Sequence, residues 1–433
     1  MYIDKLSLQN IKGFKNLEFD LKRPDGSYAG WTVFVGDNGS GKTTLMRAIA
    51  IALAGRDTAN KLQANLHGWI KQGTSKAGSW IQLNISRVDS DDGLAGSGRK
   101  PDEIFPARLA LTNGGKEVSI APVKPSGIVA KNYSTPERTI WSTEASGWFA
   151  CGYGPFRRVF GASSEATESM FGPLTGRFAT MFNEAASLRA TDQWLRELDH
   201  RQRSENAKAK ALLSELKVLL NDSLLPNDMR VHRIDADGLW LIDRNGVELD
   251  WGRMSDGYRS MLALLCDILK QMSEAYPGQD LLERDTQQHV VVNKSGVVLI
   301  DEVDSHLHPE WQREIGLWLV KHFPRVQFII TTHSPLVCQA ASPNGIFHLP
   351  EPGSTDKPYR LTQEAYERVI ASTADTVLLK VFDMKSTRSP RADEGRKQWS
   401  RLQAKRKGGA KLNAAEKVLE AQTKLFVLEE EEA

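Results

Sequence analysis

Apolar and polar positions alternate from the start of the chain. Ile3, Leu6 and Leu8 fall in one strand-like run and Leu17, Phe19 and Leu21 in a second, with Ile11-Lys12-Gly13-Phe14 as the turn between them. Trp31-Thr32-Val33-Phe34-Val35 is almost continuously apolar, the pattern of a short strand buried on both faces. Residues 44–53 change to helical spacing with an apolar face, and residues 80–85 return to a strand. Between 89 and 126 Gly, Ser, Asp, Lys and Pro accumulate, which predicts loops and an edge hairpin. Residues 148–154 read as a short apolar strand with a glycine-rich end.

Helical periodicity dominates from 165 to 225. Phe171, Phe178, Met181, Phe182 and Leu188 form one uneven apolar face. Trp194, Leu195 and Leu198, then Leu212, Leu213, Leu216, Leu219 and Leu220, form others. No heptad repeat is sustained over the length of an extended coiled-coil arm. Strand pattern resumes at 231–249, with Asp235-Ala236-Asp237-Gly238 and Arg244-Asn245-Gly246 as turns. Two short β-branched runs, 297–300 and 326–330, flank a helical segment at 309–323. Strand–helix–strand order predicts a parallel sheet, and hence an α/β protein. The tail, 364–433, is helical and highly charged, and ends in four consecutive glutamates at 429–432.

Composition narrows the class. The chain has 433 residues, too many for one ordinary core, and is 40% hydrophobic and 25% charged, as ordinary globular proteins are. With 56 basic against 54 acidic side chains, the net charge of +2 does not mark a dedicated polyanion binder, although local patches fit within it. Cys151, Cys266 and Cys338 are scattered, odd in number and free of zinc-site spacing, which points to a reducing cytosol. No apolar run is long enough to span a bilayer, and the first residues carry no signal-peptide core. A cytoplasmic location without membrane contact is therefore expected.

The chemistry concentrates in a few segments. Gly36-Asp37-Asn38-Gly39-Ser40-Gly41-Lys42-Thr43 fits the P-loop pattern G-x-x-x-x-G-K-[ST] and lies between the buried strand and the helix opening with Thr44, as the motif requires. Its glycines let the backbone curl so that N–H groups face phosphate oxygens, and the helix N-terminus adds positive potential. Lys42 brings an ammonium to the β/γ-phosphates, and the Thr43 hydroxyl suits Mg²⁺. A glycine-rich hairpin turn is the plain alternative, and the strand–loop–helix setting speaks against it. Val297-Val298-Leu299-Ile300-Asp301-Glu302 has the Walker B form. Asp301 is placed to hold Mg²⁺ directly or through water, and Glu302 to orient or deprotonate the attacking water.

Three further stretches complete the set. His306 and His308 suggest zinc, but two histidines make an incomplete site. Residues 301–308 lie instead in register with the D-E-x-x-S-x-L-D stretch of ABC-type ATPases, whose last four residues form the D-loop; His308 stands where Asp is usual. His333, in Thr331-Thr332-His333-Ser334-Pro335 just past a strand, is positioned to sense the γ-phosphate or stabilise developing charge. Met254-Ser255-Asp256-Gly257-Tyr258-Arg259-Ser260 reads as a variant of the ABC signature L-S-G-G-Q. Ser255 as N-cap and a flexible Gly257 make a phosphate receptor at a helix N-terminus. The P-loop already covers its own γ-phosphate from one side, so the natural client of Ser255 and Gly257 is the ATP of another subunit. Asn293-Lys294-Ser295-Gly296 imitates the guanine-reading N-K-x-D motif but lacks the Asp and precedes Walker B. It reads as a turn, and ATP is expected over GTP.

Together these elements resemble the RecF/SMC/OLD branch of ABC-type AAA family ATPases. The opening residues 6–17 match its "strand, N-[FI]-[KR]-G-F, strand" start, and 301–309 its "DE-x-x-x-HLHP" form. The match covers 1–86 and 230–350. Residues 69–73 are similar to the region that carries the Q-loop, making Gln72 a candidate metal or water contact, with Gln82 as the alternative. Residues 152–158 and 373–378 resemble stretches of bacterial anti-phage defence ATPases of the Septu type, which work with a separately encoded HNH nuclease. The resemblance implies a P-loop NTPase fold with an ABC-type head, divided as 1–160, an inserted helical lobe at 161–228, the rest of the head at 229–355, and a charged helical tail at 356–433 for partner or self-association. It also implies ATP and Mg²⁺ as ligands and an ATP-sandwiched head dimer, or a higher oligomer built from it. The leading expectation is a nucleotide-gated switch in a defence complex, with no nuclease of its own. A RecF-like repair ATPase clamping duplex DNA is the second reading, to which the basic residues Arg396, Lys397, Arg401, Lys405, Arg406, Lys407 and Lys411 would contribute. A transporter motor is a weaker third, because Lys42 and Ser255 are unusually far apart in sequence.

Overall fold

The computed structural model describes residues 1–63, 65–73, 78–96, 100–114, 118–123, 135–159, 172–225, 227–351, 353–354 and 356–424. Phe171, the start of the expected helical region and the glutamates at 429–432 lie outside them. The chain begins with β1 (Tyr2–Ile11), β2 (Phe14–Asp20), β3 (Gly30–Val35), α1 (Lys42–Leu62), β4 (Ser79–Ser86), β5 (Ile104–Asn113), β6 (Val118–Pro122) and β7 (Ala150–Tyr153). Short helices α2 (Pro173–Gly176) and α3 (Ala179–Phe182) precede α4 (Arg189–Arg203) and α5 (Ala207–Leu220). Next come β8 (Arg230–Asp235), β9 (Gly238–Ile242), β10 (Glu248–Asp250), α6 (Asp256–Ala275), β11 (Leu282–Arg284), β12 (Val290–Val292) and β13 (Gly296–Ile300). Then follow α7 (Pro309–His322), β14 (Val326–Thr331), α8 (Pro335–Cys338), β15 (Ile346–His348), β16 (Tyr359–Arg360) and α9 (Gln363–Ala371).

Two sheets do most of the positioning. One is antiparallel, in the order β2-β1-β4-β5-β6; the other runs β16-β15-β3-β14-β13-β7 and is parallel from β15 to β7. The sequence patterns explain the difference. Every residue of β3, β13 and β14 is buried, as expected of strands covered on both faces, whereas β4 alternates buried and half-buried positions. Helix α1 lies in the same apolar core as both sheets. Its Leu45, Met46 and Ile49 join Leu6, Leu83 and Leu109 of the antiparallel sheet and Phe34, Leu299 and Ile329 of the parallel one. Gln327 of β14 clips the sheets together, accepting from Ile3 N at 2.7 Å and donating to Ile3 O at 2.9 Å.

Helix α1 extends past the expected residue 53 but breaks at Gly55 (φ 74°, ψ 170°). The indole of Trp141 fills the break and donates to the Ala52 carbonyl at 2.8 Å. The three-stranded sheet β8–β10 packs on α4 and α5, and the Asn221 side chain bonds both the N–H and the carbonyl of Val231. The expected 228/229 division thus runs through a packed subassembly. The chain separates into compact units Met1–Ala371 and Ser372–Ala433, later than the expected 355/356. Pairing of β16 with β15 and the bond from Tyr366 OH to Ala341 O keep residues 359–371 in the first unit. The described part of the second unit is helical: α10 (Ala374–Lys380), α11 (Pro390–Lys407) and α12 (Ala414–Lys424). There α11 and α12 pair through Gln403 and Arg406 to Glu420 and through Lys405 to Glu416.

Candidate active site

Ligand sites of open parallel sheets form at the carboxyl ends of the strands, and here three adjacent strands deliver the sequence-predicted residues to one edge. Strand β3 leads into Gly36–Thr43. Its neighbour β14 ends at Thr331 and is followed by His333. The next strand, β13, is followed by Asp301 and Glu302.

The P-loop curls because three of its residues take conformations suited to glycine: Gly36 at φ 149°, Gly39 at 83° and Gly41 at 100°. Gly41 is the N-cap of α1. A Cβ there would come within 2.6 Å of the Phe14 ring, so the turn between β1 and β2 forms the floor of the loop. The Lys42 ammonium donates to the carbonyls of Gly36 (2.6 Å) and Asp37 (3.0 Å). Burial lowers its pKa from the usual lysine value, offset by Asp301, Glu302 and Asp37.

Asp301 is 1% exposed. Its Oδ1 accepts from the Thr331 hydroxyl at 2.6 Å, while its buried Oδ2 has no hydrogen-bond partner, and the buried Ser40 hydroxyl likewise lacks one. An orphaned carboxylate oxygen beside a hydroxyl-bearing P-loop suits a small hard cation that takes oxygen ligands, so these residues fit Mg²⁺. Glu302 is half-buried and takes φ 48°, a left-handed conformation uncommon for its residue type. Its N–H donates to Thr331 Oγ1 at 2.8 Å, and its Oε2 accepts from the Ser305 hydroxyl at 3.2 Å. His333 is exposed, and its N–H donates to Asp304 Oδ1 at 3.3 Å; the Thr332 hydroxyl donates to the same oxygen at 2.5 Å.

Ser255 caps α6 with extended geometry (φ −61°, ψ 154°) and makes no side-chain capping bond, leaving its hydroxyl without the usual N-cap duty. Gly257 faces the D-loop turn. A Cβ on it would sit 2.5 Å from the His306 carbonyl, so the signature and the D-loop are packed together within one chain. The Tyr258 ring meets Trp311 of α7 edge-on, centroids 4.7 Å apart. His308, at the usual D-loop Asp position, is the N-cap of α7 and accepts from Glu310 N at 3.4 Å, a duty Asp also performs. The two Q-loop candidates lie in different settings. Gln72 is exposed in the turn after the isolated bridge between Ile11 and Ile70, and Gln82 lies on β4 with its amide bonded to Asn84 and Arg108. On the side of β13 away from β14 runs β7, also parallel, and the loop leaving its end reaches the Asp301–Glu302 turn through Arg157.

Motif matching assigns no role to Arg157 in that loop, to the Thr331 hydroxyl that bridges Asp301 and Glu302, or to Asp304, which ties the D-loop turn to His333. Threonine and aspartate are common in turns, and their partners become visible only once β13 and β14 are adjacent.

Known proteins resemble this chain in sequence and in fold. Residues 155–339 match the family described as "AAA domain, putative AbiEii toxin, Type IV TA system", and residues 5–139 match a second AAA domain family. "Septu protein PtuA" of Bacillus mycoides (strain KBAB4) is 25% identical over 77% of this chain, which spans 38% of that relative's length. "Retron Ec83 probable ATPase" of Escherichia coli is 25% identical over 79% of this chain and 70% of its own length. Among solved structures, an SMC head bound to the C-winged helix domain of ScpA superposes with a TM-score of 0.50 at 15% identity, covering 85% of this chain and all of that one, which speaks to the fold alone. The chain thus carries matches to two AAA domain families, is similar in sequence to Septu and retron ATPases, and has an SMC-head-like fold.

Proposed function

We propose that this chain hydrolyses ATP as a nucleotide-gated dimeric switch in an anti-phage defence complex and controls a separately encoded nuclease. The observation that carries the ATPase reading is the convergence of the P-loop, Asp301, Glu302 and His333 at the ends of three adjacent parallel strands. The defence reading draws on the Septu and retron relatives.

In this reading the P-loop N–H groups and Lys42 hold the β- and γ-phosphates. Thr43 and Asp301 would hold Mg²⁺, which when bound would supply charge neutralisation on the phosphate oxygens. Glu302 orients the attacking water and accepts its proton, and His333 stabilises charge developing on the transferred phosphoryl group. Ser255 and Gly257 close on the γ-phosphate bound by a second copy, so hydrolysis reopens the dimer. Glu302→Gln should therefore retain ATP binding, lose hydrolysis by about 100-fold or more, and accumulate an ATP-held dimer visible by size-exclusion chromatography. Wild-type turnover in this variant overturns the assignment.

The nuclease is assigned to a partner from the resemblance to the Septu type; among the described residues no cluster of three or more candidate metal ligands occurs. The purified chain should leave DNA intact with Mg²⁺ or Mn²⁺. Cleavage that vanishes when its own carboxylates are changed would reassign that chemistry. The alternative DNA-clamp reading draws on exposed Lys397, Arg401 and Lys405 along α11. It requires ATP-enhanced duplex binding that weakens steeply with salt.

A further inference from the structure

The side chain of Arg157 is buried, and its guanidinium donates to five main-chain carbonyls. Nη1 bonds Gly154 O (3.2 Å) and Asp301 O (3.1 Å); Nη2 bonds Glu302 O (3.2 Å), Val303 O (3.3 Å) and Ser305 O (3.3 Å). Four of these carbonyls belong to the single turn that carries the Walker B carboxylates and opens the D-loop. That turn is strained. Glu302 (φ 48°) and His306 (φ 68°) are non-glycine residues in the left-handed region, a conformation that persists only where its surroundings enforce it. The two left-handed residues fold the turn so that its carbonyls converge inward, where buried carbonyls need donors; that of Glu302 also accepts from Ser305 N at 3.0 Å. A guanidinium meets that need because it is planar, charged and rich in donors, whereas an ammonium is a compact point charge that cannot span the set.

We propose that Arg157 is a positioning residue that holds the 301–305 turn in the backbone conformation presenting the Glu302 carboxylate for hydrolysis. The same clamp sets the His306 carbonyl against Gly257, so the turn that carries Glu302 also defines the seat of the signature. Arg157 acts through main-chain geometry and is not assigned a contact with nucleotide. The proposal rests on the ATPase reading in which Glu302 is the hydrolytic carboxylate.

The test is a double-mutant cycle of Arg157→Lys and Glu302→Gln in the full chain. Nucleotide affinity is followed with a fluorescent ATP analogue, turnover by phosphate release, and folding by thermal melting. Arg157→Lys is expected to melt cooperatively and bind nucleotide within about threefold of wild type, while kcat falls about 10–100-fold, the scale of losing second-layer support to a reacting group. In the Glu302→Gln background it should add no further loss, because the group it positions is already gone. Wild-type kcat in a folded Arg157→Lys protein overturns the proposal, as does an additive loss in the double variant. Wild-type kcat in Glu302→Gln alone overturns the underlying ATPase assignment, which separates the two failures. Should Arg157→Lys not fold, Arg157→Gln is read by the same criteria, and failure of both to fold assigns Arg157 a structural duty and rejects the positioning one.

Discussion

Glycine placement in the P-loop shows how one atom decides whether phosphate can bind. At Gly41 the φ of 100° and the Phe14 ring, 2.6 Å from where a Cβ would lie, oppose any side chain, whereas at Gly73, with φ 78°, a Cβ would meet nothing within 4 Å among the described residues. Gly41→Ala should therefore force the loop or Phe14 to move and reduce ATP affinity at least tenfold, measured by nucleotide titration. Phe14→Ala in the same chain removes the clash but not the backbone strain, so binding should return only in part. Unchanged affinity in Gly41→Ala would mean that the floor beneath the loop yields freely. Phe14 belongs to the N-[FI]-[KR]-G-F opening of the chain, and this contact gives that opening a physical reason: the first turn supports the phosphate cradle.

The break in α1 belongs to the scale of elements. Gly55 lies at φ 74°, and its absent Cβ leaves space for the Trp141 indole, which takes up the carbonyl of Ala52 freed where the helix breaks. Gly55→Ala meets both obstacles, an unfavourable φ and a ring 2.6 Å away, so it should destabilise the fold by about 2–3 kcal/mol. Thermal melting checks this, and a melting temperature equal to wild type refutes it. The break was not legible in the sequence, because a single glycine within a helical pattern is a weak signal and its partner lies 86 positions later (141 − 55). The buried strands were legible, since β3, β13 and β14 are short apolar runs bounded by motif residues. The Walker residues were legible for the same reason: their chemistry is carried by side-chain type at fixed spacing. Arg157 was not, because it recognises main-chain carbonyls, which leave no trace in residue identity. Nor was the packing of β8–β10 on α4 and α5, a tertiary choice made by apolar faces that fit many partners.

At the scale of the whole molecule, the open question is whether the signature serves a second copy. Ser255 makes no side-chain capping bond, and Gly257 lies against the D-loop turn, so the proposed phosphate receptor at the start of α6 lies in the same chain that carries Glu302. If it serves a neighbour's ATP, Ser255→Arg should bind nucleotide normally yet fail to hydrolyse it, since the added guanidinium keeps the second copy from closing. Lys42→Ala should fail earlier, at binding, because the phosphates lose their cation. Mixing the two variants gives the decisive result. One site of the heterodimer carries both lesions. The other joins the intact P-loop of the Ser255→Arg chain to the intact signature of the Lys42→Ala chain. Phosphate release should therefore return to a measurable fraction of the wild-type rate, although each variant is inactive alone. Full activity of Ser255→Arg by itself rejects the signature assignment. Absence of rescue in tag-selected, crosslinked heterodimers leaves either a site completed within one chain or two sites that must fire together. A heterodimer carrying both lesions in one chain and none in the other separates them: with a shared site each half is broken once and no activity returns, whereas a self-contained site leaves the wild-type chain turning over at its own rate.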